Sequence, residues 1–72
     1  MLDAIWVSGG GDRRVRVLRL LGRGPDGRDY VRVAGTATGI PLDELYFKDP
    51  AGWYRRDLPL YADESGKLRL SE

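Results

Sequence analysis

The chain of 72 residues contains no cysteine and no histidine. The lack of cysteine excludes disulfide bonds and thiolate metal sites, and the lack of histidine removes the other common zinc ligand. The same absences take away the usual general base and nucleophile of enzymes at neutral pH. Acidic pairs remain, but Asp43-Glu44 and Asp63-Glu64 lie in expected turns, where solvated carboxylates are the norm. We therefore predict a non-enzymatic protein without a metal or other cofactor.

Long apolar runs are also missing from the sequence. No run approaches the roughly 20 residues of a membrane-spanning helix, and Asp3 stands where a secretory signal needs a basic region. These absences predict a cytoplasmic protein that does not bind membranes. The chain is 42% hydrophobic and 32% charged, which is typical of a globular protein. Its length predicts one small domain over residues 1–72.

Arginine is the residue that the sequence has in excess. Seven of the ten arginines fall between Arg13 and Arg32, and the balance of charge from Gly11 to Arg32 is +4. From Asp43 to Glu72, by contrast, five bases face seven acids. This asymmetry favours an oriented approach to a charged partner. A GC-rich coding sequence would also favour arginine over lysine, although it would not explain the clustering.

The arginine-rich segment has the pattern of a β-hairpin. Val15 and Val17 alternate with arginines, which favours a strand, although the ends of the segment 12–22 would also suit a helix. The turn Gly24-Pro25-Asp26-Gly27 and the β-forming segment Asp29–Val33 decide for the hairpin. In the register that we expect, Arg23 pairs with Arg28 across this turn.

The alternation in the first strand contains a fault that predicts a β-bulge. Val15 and Val17 point to one face of a regular strand, whereas Leu18 and Leu20 point to the other. One extra residue at Val17-Leu18 would place all four, together with the two valines of the second strand, on the core face. The outer face would then carry Arg14, Arg16, Arg19, Leu21, Tyr30 and Arg32.

The same register sets Arg19 directly across from Arg32. Two like charges in opposite positions are unfavourable unless an anion or an acid lies between them. This pair therefore indicates an anionic partner, although a neighbouring acid such as Asp29 would serve equally well.

The rest of the chain also divides into short extended segments. We expect strands at Ala4–Val7, Leu45–Phe47, Trp53–Tyr61 (with Pro59 at an edge) and Lys67–Leu70, and one helical turn near residues 41–46. Five or six short antiparallel strands with a central basic hairpin and one helical turn resemble a small SH3-like barrel. The resemblance implies a mainly β fold that binds peptides, RNA or protein surfaces, and it transfers no functional residue.

Two patches carry the residue types that binding surfaces use. The partner-binding candidates are Arg14, Arg16, Arg19, Tyr30 and Arg32 on the hairpin, and Trp53, Tyr54, Arg55 and Arg56 beyond it. Trp53 and Tyr54 also have a simpler interpretation as core and rim residues. Arginine, tyrosine and tryptophan are enriched in protein-binding hot spots. We therefore predict a protein partner with an acidic or nucleic-acid-handling surface.

An inhibitor of a nucleic-acid-handling complex, of the kind that phages and mobile elements encode, would have these features. Direct binding of RNA or DNA is the alternative, because arginines with a stacking tyrosine suit single strands. The isoelectric point near 8.1 lies below that of dedicated nucleic-acid domains. An unpaired strand edge near residues 53–61 or 67–70 would also allow homo-oligomers.

Overall fold

The computed structural model describes residues 2–71, so Met1 and Glu72 of the predicted domain lie outside the described part. The fold is mainly β, as the sequence predicts. Its strands are β1 (Leu2–Ser8), β2 (Gly11–Arg23), β3 (Asp29–Val33), β4 (Ile40–Pro41), β5 (Leu45–Lys48), β6 (Tyr54–Arg55), β7 (Leu60–Ala62) and β8 (Leu68–Leu70). A 3-10 turn at Leu42–Glu44 directly precedes β5, which confirms the expected helical turn and the strand after it.

The strands form two antiparallel sheets. The larger sheet has the order β4-β3-β2-β1-β5-β6, and β7 and β8 form a separate hairpin. Within residues 2–71 the larger sheet is open, because its pairing ends at β4 on one side and at β6 on the other. The structure has eight strands instead of five or six. The difference arises because β4 was not expected and because the predicted strand Trp53–Tyr61 is interrupted before Pro59, giving β6 and β7.

The predicted β-bulge in β2 is confirmed. Val17 pairs with Val33 and Arg19 pairs with Arg32, so Leu18 is the extra residue between them. The predicted pairing of Arg23 with Arg28 is wrong. A second irregularity between Leu20 and Gly22 shifts the register by one residue, and Arg23 pairs with Asp29. Gly22 has a φ of 122°, a backbone conformation that side chains rarely allow and that the sequence pattern did not reveal.

The core lies on one face of the larger sheet. It consists of Ala4, Val17, Val31, Val33, Ile40, Leu45, Phe47 and Leu68, each at most 5% exposed. Val15 and Leu20 pack against it while half-buried, whereas Leu18, in the bulge, is half-buried outside the core cluster. The alternation of buried and exposed positions along β1, β2, β3 and β5 assigns each remaining side chain to the core face or to the opposite face.

Three hairpin turns share one geometry. In each, the N–H of the fourth residue donates to the carbonyl of the first residue. The N–H of the first residue donates to the carbonyl of the fifth residue. The first and fourth residues are Gly24 and Gly27, Asp49 and Gly52, and Asp63 and Gly66. The fourth residue is a glycine with positive φ in every case, which is typical of a type I turn followed by a bulge.

The β7–β8 hairpin is attached to the free side of β2. The N–H of Leu20 donates to the carbonyl of Gly66 at 2.6 Å. At the other end of the hairpin, the N–H of Ser71 donates to the carbonyl of Pro59 at 2.7 Å and so joins the ends of β8 and β7. A Cβ at Gly66 would lie 3.3 Å from the oxygen of Leu20 and 3.4 Å from Nη2 of Arg19. The close approach of this turn to β2 therefore requires glycine, both for its φ of 84° and for its lack of a side chain.

Candidate binding surface on the outer sheet face

The face of the larger sheet opposite the core carries most of the cations of the hairpin. We call it the outer face. Its side chains, placed by alternation and by the register, are Asp3, Ile5 and Val7 of β1, Asp12, Arg14, Arg16 and Arg19 of β2, Tyr30 and Arg32 of β3, Tyr46 and Lys48 of β5, and Tyr54 of β6. The predicted candidates Arg14, Arg16, Arg19, Tyr30, Arg32 and Tyr54 are thus all on one face.

An open groove of about 450 Å³ lies in the middle of the outer face. Arg14, Arg16, Lys48 and Tyr54 line it together with Asp3, so three cations and one acid surround one tyrosine. The strand order explains this grouping, because β1 lies between β2 and β5. The hairpin and one residue of the segment after β5, Tyr54, therefore contribute to one surface.

The cations of the outer face have few partners within the described chain. Arg16 Nε lies 3.9 Å from Asp3 Oδ1, and both side chains are more than half exposed. Such a pair contributes little in water. Among residues 2–71, no carboxylate lies within ion-pair distance of Arg14, Arg19, Arg32 or Lys48. The outer face therefore carries an excess of positive charge.

One aromatic ring of the outer face is already covered. The guanidinium carbon of Arg56 lies 4.5 Å from the centre of the Tyr46 ring. This is the distance of a cation–π contact, which places the guanidinium over the ring. Tyr46 pairs with Ile5, which in turn pairs with Arg14, so Arg56 extends the cationic surface beyond β5.

The second predicted patch does not stay together. Tyr54 pairs with Lys48 on the outer face and Arg56 covers Tyr46, whereas Arg55 pairs with Phe47 and so belongs to the opposite side. Arg55 also forms ion pairs with Asp57 and Asp49, at 3.2 and 3.8 Å. These acids raise the pKa of Arg55 and remove it from the set of free cations.

Trp53 is not a core residue. The interpretation of Trp53 as packed inside is wrong, since the residue is 73% exposed. It is the last residue of the Asp49 turn, and its backbone N–H donates to the Asp49 carboxylate at 2.8 Å. The turn geometry, and not burial of the indole, fixes its position.

Tyr30 lies on the same face of β3 as Arg32, but it is fixed by the hairpin turn. Its hydroxyl donates to Asp26, and this hydrogen bond raises the pKa of Tyr30 and lowers that of Asp26. A Cβ at Gly24 would lie 2.6 Å from Cε1 of the tyrosine, so the ring rests directly on the turn. Tyr30 therefore has a structural role at this end of the hairpin.

A second group of charges lies at the 3-10 turn and is fully paired. Arg28 donates to both oxygens of Asp43, at 2.6 and 3.1 Å, and to Glu44 at 2.9 Å. The indole N–H of Trp6 donates to the other oxygen of Glu44 at 2.9 Å. We call these four residues the Arg28 cluster.

The hydrogen bonds of the Arg28 cluster shift the pKa values of its members. The bond from Trp6, with that from Arg28, lowers the pKa of Glu44, and the bond from Arg28 lowers the pKa of Asp43. The two carboxylates in turn raise the pKa of the guanidinium. One of the seven hairpin arginines is thus used to hold β3 to the 3-10 turn.

Two residues of the outer face were missed from the sequence. Lys48 and Tyr46 alternate with the buried Leu45 and Phe47, so their orientation could have been predicted. That β5 pairs with β1, which brings them beside Arg14 and Arg16, could not have been predicted from alternation alone.

Comparison with protein-family models, with curated proteins and with solved structures gave no match. Among residues 2–71, no helix has the length and apolar character needed to cross a membrane. The same part of the chain has no cluster of three acidic side chains placed to hold a metal ion.

Proposed function

We propose that this domain is a non-enzymatic binding module that recognises an acidic surface of a protein partner through its outer face. The observation that carries the proposal is the segregation of charge. Four cations without ion-pair partners in residues 2–71 share the outer face, namely Arg14, Arg19, Arg32 and Lys48, whereas Arg28 and Arg55 are bound by acids elsewhere. Arg13, which also has no ion pair among these residues, lies on the core side of the sheet. The arginines of the outer face are exposed, and the sheet holds their backbones in place. Such arginines are suited to bidentate contacts with carboxylates.

Two further observations favour a protein over a nucleic acid. Base stacking needs free aromatic rings, but of the rings on the outer face Tyr46 is covered by Arg56 and Tyr30 is fixed on its turn, which leaves Tyr54 there besides the exposed Trp53 of the Asp49 turn. The net charge of +1 is also small, so long-range attraction to a polyanion is weak. A small inhibitor that occupies the acidic surface of a nucleic-acid-handling complex fits this combination.

Direct binding of single-stranded RNA or DNA is the second candidate. Tyr54 lies in a groove between Arg16, Arg14 and Lys48, and this arrangement offers phosphate contacts around one aromatic ring. It supplies one stacking position, which is fewer than the series of rings that single-strand binders use.

We also propose that the fold is a small barrel of the SH3-like type. The hydrogen bond between Leu20 and Gly66 supports this, because it attaches the β7–β8 hairpin to the edge of β2 that β1 leaves free. The order of the strands and the 3-10 turn before β5 support it as well.

The test is a fluorescence-anisotropy titration of the full chain against three labelled probes. The probes are a short Glu-rich peptide, the same peptide with Gln at every Glu, and a single-stranded RNA. We expect binding of the Glu-rich peptide alone, and a moderate loss of affinity between about 50 and about 200 mM salt, as few charges are involved. Tighter binding of the RNA with a steep salt dependence would replace the proposal by the second candidate.

Neighbouring arginines provide a matched pair of variants. Arg14 lies on the outer face, whereas Arg13 pairs with Trp6 and lies on the core side of the sheet. Arg14→Glu and Arg13→Glu change the net charge equally. We expect about tenfold weaker binding of the Glu-rich peptide for Arg14→Glu and less than about twofold for Arg13→Glu. Equal losses would contradict recognition through a specific face.

A further inference from the structure

Arg19 and Arg32 occupy a position in the sheet where two like charges are unfavourable. They pair directly across β2 and β3, immediately beside the bulge, and both are exposed. Like charges in opposite positions destabilise a sheet. Among residues 2–71 neither arginine has a carboxylate within ion-pair distance. The acid that the sequence offers for this purpose, Asp29, is instead bound to Arg23 at 3.6 Å.

The bulge brings about this arrangement. If the same sequence formed a regular strand without a bulge, alternation from Val17 would place Arg19 on the core face and Leu20 on the outer face. The insertion turns Arg19 outward, so that the outer face has a pair of guanidinium groups in place of an apolar side chain. Bulges are often found where a side chain is re-aimed for binding.

The side chain of Arg19 lies beside the β7–β8 turn. Its Nη2 lies 3.4 Å from the position of a Cβ on Gly66. That turn is on the side of β2 away from β3, because the N–H of Leu20 donates to Gly66 and not to β3. The guanidinium of Arg19 therefore lies near the edge of β2 that faces away from β3.

We propose that Arg19 and Arg32 together bind one carboxylate group of an acidic side chain of the partner protein. This inference rests on the proposed function and names the part of the outer face that recognises the partner's charge. A carboxylate has two oxygens and accepts hydrogen bonds from two guanidinium groups at once. Its negative charge also removes the repulsion between the arginines, so binding relieves an unfavourable contact of the free domain.

The proposal predicts opposite effects of one substitution on stability and on binding. Arg32→Glu places an acid opposite Arg19, which converts a repulsive pair into an attractive pair. We expect its melting temperature to be a few degrees higher than that of the unchanged protein. The new acid also occupies Arg19 and repels the partner, so we expect about tenfold weaker binding of the Glu-rich peptide.

The reciprocal variant and a neutral variant complete the experiment. Arg19→Glu should raise the melting temperature and weaken binding in the same way, whereas the double variant Arg19→Glu/Arg32→Glu should weaken binding without added stability. Arg32→Gln should relieve the repulsion in part and weaken binding less than Arg32→Glu. Arg13→Glu, on the other face, is the control for net charge.

The outcomes distinguish this inference from the proposed function. If Arg14→Glu weakens binding but Arg32→Glu and Arg19→Glu leave it within about twofold, the outer face binds the peptide and the carboxylate site is wrong. If no outer-face variant affects binding, both proposals are wrong. If the melting temperature of Arg32→Glu falls, the two arginines do not repel each other and the inference is also wrong.

Discussion

The outer face and the Arg28 cluster use the same residue type in opposite ways. In the Arg28 cluster, one guanidinium is held by two carboxylates, and one of these is held again by the indole of Trp6. On the outer face, Arg14, Arg19 and Arg32 have no such acids among residues 2–71. A bound arginine contributes to folding, whereas an unbound one is available to a partner. The comparison therefore separates the arginines that hold the fold from those that we expect to bind.

The largest expected effect comes from reversing two charges of the groove. Arg14→Glu/Arg16→Glu should weaken binding of the Glu-rich peptide by about a hundredfold, because each reversal removes an attraction and adds a repulsion. Anisotropy titration measures this loss. Circular dichroism melting should show a fall of only a few degrees, because both side chains are exposed but Arg16→Glu sets an acid across from Asp3. A large fall in the melting temperature would show that the groove is needed for folding, and would remove the distinction between the two regions.

A substitution beside Arg19 should affect stability without changing charge. Gly66→Ala forces a side chain onto a φ of 84° and places its Cβ 3.3 Å from the oxygen of Leu20. We expect a loss of about 1–2 kcal/mol in the free energy of unfolding, measured by urea denaturation. Gly52→Ala is a matched control, because Gly52 has a φ of 96° at the same position of an equivalent turn, but its Cβ would meet nothing within 4 Å. Equal losses for both would contradict the close contact between the β7–β8 turn and β2.

Removing the central arginine of the Arg28 cluster should lower stability and leave binding unchanged, whereas the groove variants should mainly weaken binding. Arg28→Ala leaves the carboxylates of Asp43 and Glu44 without their shared donor, so the melting temperature should fall by several degrees. Binding of the Glu-rich peptide should remain unchanged at a temperature where the variant is folded. A variant that melts normally but no longer binds the peptide would place Arg28 in the binding surface and contradict its structural role.

The pH dependence of stability should also trace the Arg28 cluster. Asp43 and Glu44 have pKa values lowered in the folded protein by their hydrogen bonds with Arg28 and Trp6. A carboxyl whose folded pKa is lowered contributes stability above its unfolded pKa of about 4, and the contribution is lost as pH falls through the folded pKa. The melting temperature should be constant from about pH 5 to 7 and should fall in more acidic solution.

The variant Arg28→Ala tests this assignment. Its melting temperature should depend less on pH in acid than that of the unchanged protein, because Arg28 no longer lowers the pKa values of Asp43 and Glu44. Asp63, whose pKa is lowered by hydrogen bonds from Ser65 and Arg69, should retain its share of the pH dependence. Identical pH profiles for the two proteins would mean that the Arg28 cluster does not contribute to the acid sensitivity.

The smallest expected effect concerns the cation–π contact on the outer face. Arg56→Met should cost about 0.5 kcal/mol of stability, since the contact with Tyr46 is solvent-accessible. Tyr46→Phe retains an aromatic ring and serves as the control, with little change expected in urea denaturation. A loss in Tyr46→Phe as large as that in Arg56→Met would assign the effect to the tyrosine hydroxyl.

The local features of the fold could be predicted from the sequence, and the assembly of the outer face could not. The bulge at Leu18 followed from a fault in two-residue alternation, and the turns followed from glycine and proline positions. The second irregularity at Gly22 has no such sign, so the register at Arg23 was wrong. Sequence alternation also does not show which strands become neighbours. The order of the strands is what brings Lys48 and Tyr54 beside Arg16.

Trp53 illustrates the same limit for a single residue. A large apolar side chain is usually buried, but Trp53 ends a short turn in which Asp49 accepts its backbone N–H. Tyr54 then lies on the outer face and Arg56 covers Tyr46, whereas Arg55 is bound by Asp57. The chemical type of each residue in this patch was visible in the sequence, but the side of the sheet that it occupies depends on the pairing of β6.

The most direct test of the account is a two-dimensional amide NMR titration of the full ¹⁵N-labelled chain with the short Glu-rich peptide. We predict that shifts concentrate at Arg14, Arg16, Arg19, Arg32 and Lys48, and that Arg28, Asp43 and Glu44 change little. The Gln-substituted peptide should cause no shifts at the same concentration. Shifts concentrated at the Arg28 cluster, or spread evenly over both faces of the sheet, would contradict the claim that the unpaired cations of the outer face form the binding surface.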